Sequence, residues 1–274
     1  LGRRINSIFD LLNSPDADAS EFKYINGRVF ADHIPAAKFD AAGRAALIAA
    51  CEYDWRGLDP MIFGTIYQDA MNADDRHAEG AHYTHETDIL DVLDPMLLND
   101  LRARYEKIQH NPRMITAFLH DLTKIQVLDP ACGSGNFLLV AYRELRQIET
   151  TAILAVQRAT GKTPASGIAL AQFHGIEYNP LSAAIAKASL WLALHAADRA
   201  HADAVGELAV GTFPLHQQAD IRHGNAATCD WTTEFPRVSA IVGNPPYISA
   251  DMQSMEMRAE RDALGISGGK MDYA

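Results

Sequence analysis

The spacing of apolar positions changes along the chain near residue 75. Before that point, apolar residues recur at the helical spacing that is typical of amphipathic helices, which predicts helices over residues 5–12, 41–53 and 60–71. Asp40 is a suitable N-cap for the second of these helices. The turn dipeptide Asn26-Gly27, flanked by aromatic and β-branched residues, predicts a short hairpin or tight loop over residues 22–30. We therefore expect residues 1–75 to form a helical connector or scaffold.

After residue 80, short β-branched runs alternate with long helical ones. Thr84 is a candidate N-cap for the first helix of this part, and Pro95 is expected to bend or restart that helix. Further helices are predicted over residues 96–109, 112–122, 136–159 and 181–197, and strands over residues 125–128, 173–176, 219–223 and 238–242. Such alternation is typical of an α/β fold with a parallel sheet and helices on both faces. In these sheets, ligands bind beyond the carboxyl ends of the strands.

Composition and charge exclude several classes of protein. The net charge of -11 over 274 residues argues against a surface that is basic throughout. If the protein binds nucleic acid, another segment would have to supply most of the contacts with its phosphates. The cysteines form no C-x-x-C pair, which favours a reducing cytoplasm, and the spacing of His77, His82 and His85 matches no common metal-ligand pattern. No apolar stretch is long enough to span a bilayer and no secretion signal opens the sequence, so no membrane partner is expected. Both ends look cut, and we expect a piece of a longer polypeptide.

A glycine turn follows the first predicted strand, in the segment Asp129-Pro130-Ala131-Cys132-Gly133-Ser134-Gly135. Gly133 and Gly135 can take positive φ and let the backbone approach a ligand, beside the free N–H groups of the following helix. A carboxylate at Asp129 would repel a phosphate, so a neutral or cationic ligand with an amino group is favoured. S-adenosylmethionine meets that description. Cys132 is expected to pack under the turn rather than to act as a nucleophile.

Two further segments are candidates for contacts with the same donor. Glu177 ends the second predicted strand, where a carboxylate can accept hydrogen bonds from both ribose hydroxyls, and Tyr178 follows it. Glu177 comes 42 residues after the last glycine of the turn, longer than the spacing of about 20 that is usual for such sites, and a long helix with a loop can absorb the excess. After the third strand, the Asn225 amide and the Ala226 N–H suit an adenine ring, with Asp220 as the rival for that contact.

The segment Asn244-Pro245-Pro246-Tyr247 follows the fourth predicted strand and suits the methylation of an exocyclic amino group. The lone pair of an adenine N6 amine is delocalised into the ring, and two acceptors bonded to its hydrogens would aim that lone pair at a methyl group. The Asn244 side-chain oxygen and the Pro245 carbonyl can supply these acceptors, and the two prolines hold the carbonyl in place. Tyr247 would stack on a base flipped out of a duplex.

Three motifs in this order make the chain resemble the γ-class amino-methyltransferases that modify DNA adenine at N6, namely residues 80–84, 129–138 and 244–247. More narrowly, residues 22–30, 62–64 and 269–273 are similar to the large type IIG (Mme-type) restriction-and-modification proteins and their phage-defence relatives. The resemblance covers nearly the whole chain. It implies a class I S-adenosylmethionine-dependent methyltransferase fold, in which an incomplete Rossmann-like parallel sheet is preceded by a helical segment.

The resemblance also assigns roles to residues. Tyr83 and Thr84 would lie against the methionine end of the donor, Asn136 and Phe137 would belong to the donor-binding motif, and Asn225 satisfies the family's preference for Asp or Asn at its position.

By the same resemblance, residues 1–75 would connect an upstream nuclease to a methyltransferase catalytic domain, of which residues 76–274 would be the N-terminal part. Residues 248–269 would form a loop facing double-stranded DNA. The target-recognition domain and the nuclease are absent from these residues, so we expect the piece alone to bind the donor weakly and to methylate poorly or not at all.

Other interpretations of the same residues stay open. Enzymes that methylate a protein glutamine or an amino group of ribosomal RNA use similar turns, but they are usually compact and lack the Tyr83-Thr84 element. Methylation of cytosine N4 is more often associated with Ser or Asp in place of Asn244. A non-catalytic donor-binding scaffold of a defence complex is a further alternative, against which the intact Asn244 and Tyr247 argue.

Overall fold

The computed structural model describes residues 1–14, 37–70, 84–206, 218–246, 253 and 255–263. It divides into two compact units, of which the first holds residues 1–59 with 210–218 and the second holds residues 60–209 with 219–274. The predicted domain limits of 1–75 and 76–274 stay a prediction. The predicted hairpin over residues 22–30 lies outside the described residues.

The described part of the first unit is helical. It contains α1 (Gly2–Leu12), α2 (Ala41–Glu52) and a 3-10 turn at Trp55–Gly57. The Asp40 carboxylate accepts a hydrogen bond from the Gly43 N–H at 2.7 Å, so its predicted role as N-cap of α2 is confirmed.

Helices precede the sheet in the second unit. They are α3 (Ile62–Ala70), α4 (Glu86–Leu93), a π-helical turn at Asp94–Leu98, α5 (Asn99–Ile108) and α6 (Pro112–Leu122). The π-helical turn contains Pro95, in agreement with the bend predicted there. The prediction that Thr84 caps α4 is wrong, because the N-cap residue is His85 and no side chain bonds to the first turn.

The sheet and its connections follow. In chain order they are β1 (Val127–Asp129), α7 (Asn136–Thr160), β2 (Phe173–Glu177), α8 (Pro180–Val205), β3 (Asp220–His223), α9 (Trp231–Glu234), β4 (Ala240–Ile241) and α10 (Met255–Ala263). The strands lie in the order β3-β2-β1-β4, and every neighbouring pair is parallel. This Rossmann-like parallel sheet is the predicted class I methyltransferase architecture. Because all four strands run the same way, their carboxyl ends share one edge of the sheet.

The two faces of the sheet are covered unequally in the described residues. Val127 and Phe173 point into the main core with α7 and α8, while Leu128 and Ile176 form a smaller cluster with Phe235. Right-handed crossovers from β1 to β2 and from β2 to β3 advance in the same direction, so they put both long helices on one face. Both long helices therefore cover one face of the sheet, and the short α9 lies beside the other face. Helices were expected on both faces, but only one face carries long ones. None of the helices in the described ranges is long and apolar enough to cross a bilayer.

Candidate active site

The glycine turn between β1 and α7 takes the predicted conformation. Gly133 has φ +53° and Gly135 has φ +88°, both in the left-handed region that favours glycine. A Cβ added at Gly133 would meet nothing within 4 Å, so its backbone borders open space. A Cβ at Gly135 would lie 3.1 Å from the Ala186 Cβ, because α8 packs closely behind the turn. The turn therefore leaves Gly133 facing open space and packs Gly135 against the protein.

The Glu177 carboxylate ties the end of β2 to this turn. One of its oxygens accepts from the Gly133 N–H at 2.7 Å and the other from the Asn179 N–H at 2.8 Å. These two bonds fix the carboxylate at the carboxyl edge of the sheet, and each oxygen has a second lone pair. Tyr178 beside it is 74% exposed. The predicted contact between Glu177 and ribose hydroxyls stays a prediction.

Cys132 packs under the turn, as predicted. Its side chain is buried, and a Cβ at Gly175 of β2 would lie 2.7 Å from its Sγ. Burial raises the pKa of the Cys132 thiol well above its usual value, and the nearby charges of Asp129 and Glu177 raise it further. A thiol that stays protonated is a poor nucleophile, so Cys132 has a packing role.

Asp129 ends β1 with a carboxylate that is almost fully enclosed. It is 1% exposed, and its Oδ1 accepts from the Ala131 N–H at 3.1 Å. Burial raises the pKa of Asp129 to about 7; the bond from Ala131 opposes this rise and the charge of Glu177 adds to it.

The same carboxylate joins the two motifs found in the sequence. Gly243 has φ +151°, and a Cβ there would lie 2.5 Å from Asp129 Oδ1, so only glycine lets β4 pass the Asp129 side chain. The Val242 N–H donates to the Leu128 carbonyl at 2.9 Å, which holds β4 in register with β1 up to this point. Asn244 therefore begins directly beside the end of β1.

Asn244 and the residues after it occupy the edge that the sequence predicted. Its exposed side chain donates from Nδ2 to Thr84 Oγ1 at 3.3 Å. Pro245 and Pro246 follow it half-buried. Tyr247, and Tyr83 on the Thr84 side, lie outside the described residues, so their predicted roles stay predictions.

The loop after β3 also lies at this edge. The Gly224 N–H donates to the Glu177 carbonyl at 2.9 Å, which places the loop beside the end of β2. Asn225 Oδ1 accepts from the Ala227 N–H at 2.9 Å and so caps a short 3-10 turn that starts at Ala226. The rival residue Asp220 starts β3 at the opposite end of the strand, where it pairs with Arg222 and His174.

Helix α3 contributes to the site in a way that the sequence analysis missed. A Cβ at Gly64 would lie 2.2 Å from Ser134 Oγ and 3.3 Å from Asn136 Oδ1, so α3 rests directly on the glycine turn. Asn136 is buried there, and Phe137 is buried in the main core. The similarity of residues 62–64 to the family was the sequence signal for this segment, but it did not indicate which residues Gly64 contacts.

The remaining histidine prediction falls mostly outside the described structure. His77 and His82 are not among the described residues, and His85 stands at the start of α4. Within the described ranges, no group of three or more His, Cys, Asp or Glu side chains is arranged to hold a metal ion.

Known proteins and structures resemble this chain along most of its length. Residues 105–274 match the family model described as MmeI, DNA-methyltransferase domain. DNA methyltransferase A of Bacillus subtilis is 32% identical over 289 aligned residues, which cover 100% of this chain and 33% of that protein. Adenine-specific methyltransferase PglX of Streptomyces coelicolor is 26% identical over 196 aligned residues, or 56% of this chain and 16% of that protein.

A solved structure of the Type IIL restriction-modification enzyme MmeI in complex with DNA matches with a TM-score of 0.90 and 33% identity. The match covers 99% of this chain and 38% of the solved one. The chain thus spans well under half of the length of these relatives.

Proposed function

We propose, because this chain belongs to the family of MmeI DNA-methyltransferase domains, that it holds the donor site and the amine site of a site-specific DNA adenine N6-methyltransferase. One observation carries the proposal. The Asp129 carboxylate fills the space that a side chain at Gly243 would need, with Oδ1 2.5 Å from the position of that Cβ. The glycine turn and Asn244 consequently share one edge of the sheet, as the transfer of a group between two ligands requires.

The chemistry of this edge fits S-adenosylmethionine as the cofactor. Gly133 borders open space, and the Glu177 carboxylate beside it favours a ligand with an amino group and a positive charge over a phosphate. When bound, S-adenosylmethionine supplies a methyl group carried on a positively charged sulfur. We propose that Glu177 would bind the ribose and that Asn225 and Ala226 would face the adenine.

The other proposed donor contacts follow the family's motifs. They are Tyr83, Ala131, Gly133, Gly135, Asn136, Phe137 and Tyr178. Of these, Gly135, Asn136 and Phe137 are buried, so their contribution would be to hold the turn in shape. Thr84 would lie beside the methionine end of the donor, but its hydroxyl bonds to Asn244, so it would add little to donor affinity.

The residues after β4 would prepare the amine. Since Asn244 Nδ2 donates to Thr84, the oxygen of the same carboxamide is left to accept from an amine hydrogen. The Pro245 carbonyl would accept from the other hydrogen, and the rings of Pro245 and Pro246 restrict the backbone that carries it. Two such bonds turn the nitrogen lone pair toward the methyl group, and the nitrogen releases one proton to solvent as it gains the methyl group. Tyr247 would stack on the flipped base.

Double-stranded DNA is the proposed partner. The solved relative is described as a complex with DNA, and PglX is named an adenine-specific methyltransferase. Because the relatives are much longer than this chain, we propose that most DNA contacts, and a nuclease, belong to further segments of a longer protein in the cytoplasm. Residues 1–75 would connect that nuclease to the methyltransferase domain.

The test incubates the complete protein with S-adenosylmethionine labelled on its methyl group and unmethylated plasmid DNA. We expect labelled N6-methyladenine after digestion to nucleosides. Asn244→Ala should lower the rate by about a hundredfold or more, as the loss of one preorganised polar group does elsewhere. Asn99→Ala, a change of an exposed asparagine on α5, is the matched control and should leave the rate unchanged.

Label found only in protein, in RNA or in methylcytosine would contradict the proposal. So would an Asn244→Ala variant as fast as the unaltered protein.

A further inference from the structure

We infer that Thr84 is a positioning residue for Asn244, one that holds the carboxamide in the place where its oxygen can accept from the amine. The inference rests on the proposed function and deepens it. Thr84 and Asn244 are 160 residues apart in the chain, yet Asn244 Nδ2 lies 3.3 Å from Thr84 Oγ1. Neither the spacing nor the composition of the sequence indicates this contact.

The need for such a contact follows from the shape of the amide. Nδ2 and Oδ1 of Asn244 are bonded to one planar carbon, so a bond that holds Nδ2 at Thr84 directs Oδ1 away from Thr84. If the amide were rotated by 180°, Nδ2 would face the amine, and the two donor groups could not form a hydrogen bond with each other. The Thr84 hydroxyl can both donate and accept, so it can hold the carboxamide in either orientation, and the hydrogens of the amine select the one in which Oδ1 faces them. Without Thr84, the exposed side chain would also sample rotamers that carry the carboxamide away from the amine.

The position of Thr84 is itself fixed by the helix that follows it. Glu86 forms an ion pair with Arg143 of α7, and Ile89 and Leu93 of α4 are fully buried. Since α7 begins at the glycine turn, the Thr84 hydroxyl is anchored to the same helix that shapes the proposed donor site. His85 occupies the N-cap position, and the Thr84 hydroxyl is not used to cap the helix.

The backbone of Asn244 is fixed independently, from the other side. Gly243, with φ +151°, lies against the Asp129 side chain and sets where the Asn244 main chain leaves β4. With its backbone fixed, the Asn244 side chain can still rotate about its own bonds. The bond to Thr84 restricts this rotation. The loss of the Thr84 hydroxyl should therefore lower the rate of methyl transfer rather than the affinity for the donor.

The experiment compares Thr84→Val, Thr84→Ala and Thr84→Ser in the complete protein. Methylation of plasmid DNA is followed in a single turnover at saturating S-adenosylmethionine, and donor affinity is measured by calorimetry. We expect Val and Ala each to lower the rate about tenfold, the effect of one hydrogen bond of ordinary strength. Ser keeps the hydroxyl and should restore the rate to within about twofold, with donor affinity within about twofold for every variant.

Thr116→Val is the matched control. Thr116 is an exposed threonine of α6 whose hydroxyl bonds to the Pro112 carbonyl, so its rate should stay unchanged. The use of both Val and Ala separates a missing hydroxyl from a misfit of the larger side chain.

If the unaltered protein methylates DNA adenine, three outcomes would overturn the inference about Thr84. They are a Val variant at full rate, a Ser variant as slow as Val, and a loss confined to donor affinity. An unaltered protein that does not methylate DNA adenine would overturn the proposed function and this inference with it.

Discussion

The carboxyl group of Asp129 is the titratable group whose surroundings most affect the proposed site. It is 1% exposed, and its pKa of about 7 compares with an ordinary value of 3.8. Between these two pH values the folded protein binds a proton that the unfolded chain does not. By linkage, the stabilisation from this proton is fully present below the unfolded pKa and is lost as the pH rises through the folded pKa.

Asp129→Asn should remove this pH dependence. The amide oxygen of the substituted side chain can still accept from the Ala131 N–H, but the group carries no charge at any pH. Relative to the variant, the unaltered protein should lose roughly 1.4 kcal/mol of unfolding free energy between pH 5 and pH 6, and the slope should fall to about half that value at pH 7. Urea denaturation at a series of pH values measures the difference.

Asp88→Asn is the control for this experiment, since Asp88 is exposed on α4 and its replacement removes the same charge from the surface of the protein. A constant difference between the Asp129 variant and the unaltered protein from pH 5 to pH 8 would show that Asp129 is ionised throughout, contrary to its burial.

At the scale of elements, a buried carboxylate anchors α7 to the loop before β2. Glu149 is 1% exposed and lies 3.2 Å from Arg146 Nε. Its carboxylate also accepts from Ser166 Oγ at 2.6 Å, from the Gly167 N–H at 2.6 Å and from the Ile168 N–H at 3.0 Å. One side chain therefore satisfies a cation and three donors of a loop that has no regular structure of its own.

Glu149→Ala should be severely destabilising, because it leaves three loop donors without their acceptor and removes one of the two carboxylates beside the buried Arg146, which keeps its pair with Asp198. We expect a loss of about 3–5 kcal/mol of unfolding free energy, as when one member of a buried pair is removed. The control is Asp121→Ala, which breaks pairs with Arg104 and Lys124 that are about half exposed and should cost less than about 1 kcal/mol. Urea denaturation measures both, and equal small losses would contradict the role given to Glu149.

Local signals explain which elements the sequence could predict. Helix α6 was predicted at its observed bounds, since Asn111 caps it and Pro112 opens it. Helix α8 runs to Val205 rather than Ala197, because no breaker stands before Gly206. The four strands were predicted close to their observed positions along the chain, but β4 is limited to two residues by its pairing with β1, which no local pattern reports.

Tertiary contacts explain what the sequence could not predict about the site. The positive φ of Gly133 and Gly135 follows from their motif and is confirmed. The contact of Gly64 with Ser134 joins segments 70 residues apart, and that of Asn244 with Thr84 joins segments even more distant. Thr84 was misread as a helix cap because a threonine before a helix is an ordinary local signal, whereas its partner is supplied by the fold.

At the scale of the whole chain, the net charge of -11 bears on how DNA is held. Affinity for duplex DNA comes largely from basic side chains that neutralise phosphates, and it falls steeply with salt in proportion to their number. The 274 residues carry 24 Lys and Arg against 35 Asp and Glu. The proposed donor, S-adenosylmethionine, carries no phosphate, so donor binding and DNA binding by these residues should respond differently to salt.

We expect the 274-residue chain to bind duplex DNA no more tightly than about 10⁻⁶ M at physiological salt, within the range of non-specific binding. Fluorescence anisotropy between 50 and 200 mM salt, which spans about the range where phosphate contacts are lost, measures the affinity and its salt dependence. Calorimetric binding of S-adenosylmethionine by the same sample, unchanged over that range, is the control that the chain is folded. A tight complex with a steep salt dependence would contradict the expectation, because it would require a basic DNA-binding surface within these residues in spite of their acidic balance.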